Sequence, residues 1–164
     1  MLATFILNPF TVIKQSASSV TYTHALISIL LFALYIAKLI AKIEPLFILS
    51  IAALIVIGLF VSCALIDGLA QLFSKSSQFI LVFKLMSCTL GLWILISPLA
   101  QLQTVLSSTI ISLGYLVFYL FFYSVQLFVL KTVYSINSLK AVALICVPGS
   151  LLVLSLVLTV LSVI

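Results

Sequence analysis

Asp67, Glu44 and His24 are the residues of this chain from which acid–base chemistry is most readily built. Their spacing argues against it. Glu44 and Asp67 flank one apolar run, so a helix through that run holds them at opposite ends, too far apart for a paired-carboxylate site. No acid lies where it could orient His24 as a base, and there is no Gly-x-Ser-x-Gly elbow. A glycine loop that would cradle a phosphate is also missing. The cysteines, Cys63, Cys88 and Cys146, fall in separate apolar runs without a Cys-x-x-Cys pair. That pattern suits reduced packing residues better than metal ligands. No catalytic, metal or cofactor site is expected.

Two features remain. Lys84 lies inside an apolar run, six residues past Gln78, about 9 Å along a helix. An ionisable residue within a membrane is a functional candidate. Its stem is also long enough to return the ammonium to the headgroups. A sharper alternative pairs it with Asp67, tying two helices at one interface. The second feature is a polar stripe. Ser108, Ser112, Tyr115, Tyr119, Tyr123 and Gln126 recur at steps of three or four. Such a stripe is expected to face other helices, where buried hydroxyls contribute about 0.5–2 kcal/mol each. A polar path for a solute is the alternative. Small residues at Gly58, Ser62, Ser87 and Gly91 offer places for close helix contact.

The elements that must hold these residues follow from composition. Of 164 residues, 66% are hydrophobic and 5% charged, against about a quarter charged in soluble domains. So few charges cannot clothe a water-facing surface. Lipid is therefore the expected solvent. All seven basic residues are Lys and none is Arg, which disfavours recognition of nucleic acid, where Arg's planar fork serves best.

A crossing takes about 20 apolar residues. The sequence predicts an all-α, polytopic transmembrane bundle, a single membrane domain over 1–164 with five spans. These run over 23–40, 45–66, 79–100, 104–130 and 139–164. Lys42-Ile43-Glu44 and Gln101-Leu102-Gln103 are expected to turn tight hairpins, and Pro148-Gly149 to kink the last span. Residues 67–78 and 131–138 form the longer connections. Asn8, Pro9, Lys14 and Gln15 interrupt any apolar leader core, so the first span is expected to be retained.

Lysines near span ends favour the cytoplasmic side. With five spans, one face collects Lys14, Lys75, Lys84, Lys131 and Lys140, and the other Lys38 and Lys42. The N-terminus is therefore expected inside and the C-terminus outside. Two amphipathic segments flank the spans. In 1–22, Asn8-Pro9 starts a helix with Phe10, Ile13 and Ala17 on one face, as if lying on the leaflet. The second span is expected to continue past its end. There Leu65, Leu69, Leu72 and Phe73 form one stripe, and Asp67, Gln71, Ser74 and Gln78 the other.

Three stretches carry a family likeness. The first is Asn8-Pro9-Phe10-Thr11. The second is Leu69-Ala70-Gln71-Leu72-Phe73 with Ser77-Gln78-Phe79. The third runs from Val129-Leu130-Lys131 through Tyr134-Ser135-Ile136-Asn137 to Lys140-Ala141 and Pro148. In these the chain resembles the Yip domain family of Ypt-interacting membrane proteins. Asp67 is followed directly by Gly68, unlike the Asp-x-x-Gly-Pro signature of eukaryotic members. The likeness is therefore to prokaryotic members. It implies five spans, a bacterial inner membrane and a non-enzymatic role in partner binding, membrane organisation or trafficking. The expected partners are the lipid bilayer and a membrane protein or a second copy. The alternatives are a small transporter or channel using the stripe, and an accessory subunit of a membrane complex.

Overall fold

The computed structural model describes residues 2–16, 19–39, 45–73, 75–96, 98 and 107–146. These residues are helical with short connections, and no strand occurs among them. The helices are α1 (Leu2–Leu7), α2 (Pro9–Ser16), α3 (Tyr22–Leu39), α4 (Pro45–Leu72), α5 (Phe79–Leu90), α6 (Ser108–Tyr134) and α7 (138–146). A 3₁₀ stretch, Gly91–Ile96, carries α5 onward. Three helical stretches are long and apolar enough to cross a membrane: Pro45–Leu72, Phe79–Ile96 and Ser108–Tyr134. The apolar part of α3 is shorter, at Tyr22–Lys38. The hairpins at 42–44 and 101–103, Pro148-Gly149 and the rest of the last expected span lie outside the described residues.

Local chemistry sets the helix ends. Asn8 Oδ1 accepts the Thr11 amide at 3.4 Å, and Pro9 fills the first helical position of α2. At α3 the reach runs the other way. His24 Nδ1 accepts the Thr21 amide at 3.2 Å and contacts the Thr21 hydroxyl at 2.8 Å. This is the returning half of a capping box, with imidazole in the glutamate's place. Ser135 ends α6 in the left-handed region, with φ 50°. Asn137 Oδ1 then accepts the Lys140 amide at 3.0 Å and caps α7. The turn from α6 to α7 thus occupies only 135–137. It is shorter than the expected connection, because α6 runs past Leu130 to Tyr134.

Packing centres on α3 and α5. Helix α3 touches α4, α5 and the 3₁₀ stretch, while α5 also touches α6. Val82, Leu85, Met86, Ser87, Cys88, Thr89 and Leu90 are all buried on α5. Helices α4 and α6 enclose this core and turn broad apolar faces outward, including Leu54, Phe60, Val117 and Leu120. Gly91 allows the close α3–α5 approach, since a Cβ there would lie 3.1 Å from Ser28 Oγ. Gly58 faces open space. Trp93 joins three helices: its ring lies 5.3 Å from Phe32 on α3 and 5.3 Å from Phe118 and 5.8 Å from Phe122 on α6. Each edge-on aromatic pair adds about 0.5–1.5 kcal/mol.

The N-terminal segment packs inward. Helix α1 contacts α5 and α2 contacts α6. Phe5 and Ile13 are buried, and Phe10 meets the edges of Phe121 and Phe128 at 6.2 and 5.2 Å. Ile6 approaches Gly91, twelve residues beyond the start of α5, about 18 Å along a helix. Residues read from periodicity as a leaflet-bound face, Phe10 and Ile13, thus meet the bundle.

Candidate functional site

The structure draws Asp67 to the centre of a polar cluster. Helix α4 extends past the expected end at 66 to Leu72 and carries Asp67 in its last turns. The expected amphipathic extension is present, and each of its stripes is split between inside and outside: Gln71 is exposed and Leu69 half-buried against the core. Asp67 and Ala70 are buried, while Leu65 and Leu72 are exposed. The reason is the solvent. Lipid accepts Leu freely, whereas a carboxylate must find donors inside the protein.

Four donors meet the carboxylate. Tyr134 Oη donates to Oδ1 at 2.5 Å, and the Gln78 amide donates to the same oxygen at 2.8 Å. Ser77 Oγ donates to Oδ2 at 2.6 Å and Gln71 Nε2 at 3.0 Å. The cluster therefore ties the end of α4, the 75–78 connection, the start of α5 and the end of α6. Hydrogen bonds to a charged group contribute about 1.5–3 kcal/mol, and here neutral donors satisfy both oxygens. Nearby, Lys75 Nζ donates to the Ser135 carbonyl at 3.4 Å, bridging the same connection to the end of α6. Lys140 Nζ lies 5.2 Å from the Phe73 ring centroid.

Lys84 takes a different partner from the Asp67 pairing weighed above. It is half-buried, and its ammonium lies 4.1 Å from the centroid of Tyr22, in the first turn of α3. A cation over an aromatic face is worth about 0.5–2 kcal/mol. The geometry matches a lysine reaching back towards the helix ends.

The stripe on α6 divides. Tyr115 is half-buried and hydrogen-bonds Tyr35 of α3. Gln126 is half-buried. Ser108 and Ser112 are exposed, and Tyr119 and Tyr123 are 42% and 50% exposed. Tyr119 still rests an edge against Trp93 at 5.5 Å. The inward face of α6 is made instead by Ile111, Phe122, Val125, Val129, Leu130 and Tyr134. Of the stripe expected to face other helices, Tyr115 and one edge of Tyr119 meet them, Gln126 is half-buried, and Ser108, Ser112 and Tyr123 look outward.

Sequence reasoning singled out Asp67 but missed Tyr134, Ser77 and Gln71 as its partners. The signal available was a demand: a membrane carboxylate needs donors at its own depth. Nothing in local spacing selects Tyr134, which is 67 residues away. Among the described residues no three His, Cys, Asp or Glu side chains come together as a metal site would need. The cluster can hold helices in register, and the outward stripe can accept a hydrogen-bonding neighbour. In comparisons with known proteins, no family model, curated protein or solved structure matches the chain.

Proposed function

We propose that this chain is a non-enzymatic, multi-pass membrane protein of Yip type that works by holding a partner within the bilayer. In this reading it crosses five times, N-terminus inside, in a bacterial inner membrane. The partner binds along the outward part of the α6 stripe. One observation carries the reading: Tyr119 and Tyr123 turn about half their surface outward from a membrane-length helix. A hydroxyl facing hydrocarbon gains by meeting an acceptor on another helix, by about 0.5–2 kcal/mol. The Asp67 cluster keeps α6 fixed against α4 and α5, so the stripe is presented on a rigid element.

A photo-crosslinking residue at position 119 or 123 tests this in intact cells. The expected product is heavier than the chain and contains a second polypeptide. The same residue at Leu54, on the outward face of α4, should give little. Only internal links, or equal yield at Leu54, would defeat the reading.

One feature favours transport as a second reading. A groove of about 360 Å³ is lined by Ser108, Ile111, Ser112 and Tyr115 at the start of the stripe. Solute flux into liposomes that is lost on Tyr115→Phe and Ser112→Val would support it. Copurification of a stable multi-protein assembly would instead identify the chain as an accessory subunit.

A further inference from the structure

A second groove lies where α5 begins. It holds about 470 Å³ and is open on one side. Val20, Ile80 and Leu81 form an apolar wall, Ser77 and Gln78 line it with polar groups, and Lys84 also borders it. Ile80 is well exposed. The Lys84 ammonium is steadied by the Tyr22 ring at 4.1 Å. Among the described residues no carboxylate pairs with it, since the Asp67 oxygens are taken by Tyr134, Gln78, Ser77 and Gln71. The groove therefore offers a cation, hydrogen-bonding groups and an apolar wall side by side. A tyrosine and a lysine at a helix start are also the residues that mark the headgroup level of a bilayer.

A ligand suited to this arrangement has an anionic head joined to an apolar tail. We propose that the groove is a binding site for one anionic phospholipid. Its phosphate meets Lys84, its polar linkage lies near Ser77 and Gln78, and an acyl chain runs along Val20, Ile80 and Leu81. Free phosphate shares the head chemistry but makes no use of the apolar wall. The site is separate from the α6 stripe, so it stands or falls independently of the partner reading.

The test is native mass spectrometry of the full chain, released from detergent in the presence of phosphatidylglycerol or phosphatidylcholine. The wild type should retain one phosphatidylglycerol in preference to phosphatidylcholine. Lys84→Gln should lower that retention about fivefold, the factor associated with one lysine at an anionic surface. Lys84→Arg should preserve it. Lys131→Gln, exposed on α6 and away from the groove, should leave it unchanged. Ile80→Trp keeps the ammonium, sits at an exposed position and fills the groove, so it should also lower retention. Circular dichroism melts identify any variant that fails to fold. Undiminished retention in both Lys84→Gln and Ile80→Trp overturns the site. An equal fall in Lys131→Gln overturns it too, because charge attraction alone would explain the binding. Displacement of the lipid by millimolar inorganic phosphate assigns the groove to the free anion and overturns the lipid assignment.

Discussion

At the scale of single residues, Asp67 shows how a carboxylate can be kept inside a mainly apolar bundle with no cation beside it among the described residues. Each oxygen receives two hydrogen bonds, and all four donors are uncharged. Removing the acceptor strands several donors at once. Removing one donor leaves the others in place. Asp67→Ala is therefore expected to destabilise by about 3 kcal/mol and Tyr134→Phe by about 2 kcal/mol. The double variant should cost less than the two together, since one bond is counted in both. Lys84→Met should combine additively with Asp67→Ala, because Lys84 lies over Tyr22 instead. Unfolding of detergent-solubilised protein, followed through the fluorescence of its single tryptophan, Trp93, reads all of these. Coupling between Lys84 and Asp67 with none between Tyr134 and Asp67 would contradict the geometry.

At the scale of elements, the helices differ in what their small residues do. Gly91 sits where α5 meets α3, with Ser28 fixed by its hydrogen bond to the His24 carbonyl at 2.9 Å. A Cβ at Gly91 would press on that hydroxyl at 3.1 Å. Gly91→Leu should cost about 1–3 kcal/mol through overpacking. Gly58, on α4, would meet nothing within 4 Å. There Gly58→Ala should be neutral or stabilising, by up to about 1 kcal/mol from helix propensity. Thermal melts in one detergent compare the two directly. The opposite order of stability would mean that the α3–α5 crossing is not the close one. Ser62 and Ser87, which share the small-residue pattern, also differ. Ser87 is buried and donates to the Phe83 carbonyl at 2.7 Å, whereas Ser62 is half-buried. Helical spacing marks small residues, but only the neighbour decides which of them is a contact.

At the scale of the whole molecule, orientation rests on charge. The described contacts bring Lys75, Lys140 and the Asp67 cluster to one end of the bundle, where α4 ends, α5 begins and α6 ends. That is the end expected to face the cytoplasm, by the preference of lysines for that side. A cytoplasm-active reporter inserted after Ser76 should be active, and one inserted after Ile43 inactive. The reverse result, or equal activity at both positions, would remove the five-span, N-inside arrangement.

Composition and the length of the apolar runs were enough to tell that this chain is helical and apolar enough for lipid. The local motif at Asn8-Pro9 marked a helix start in advance. It depends on residues within a turn of one another, which is the range over which sequence speaks directly. Which face of each helix turns inward was decided only in three dimensions. In water, apolar spacing separates core from surface. In a bilayer both sides of a helix are apolar, so the same spacing cannot say whether Leu65 or Ala70 meets the neighbours. The tertiary structure resolved this through its polar atoms. Asp67 reaches Tyr134 across 67 residues of chain, and that contact joins the apolar packing in setting how α4, α5 and α6 face one another.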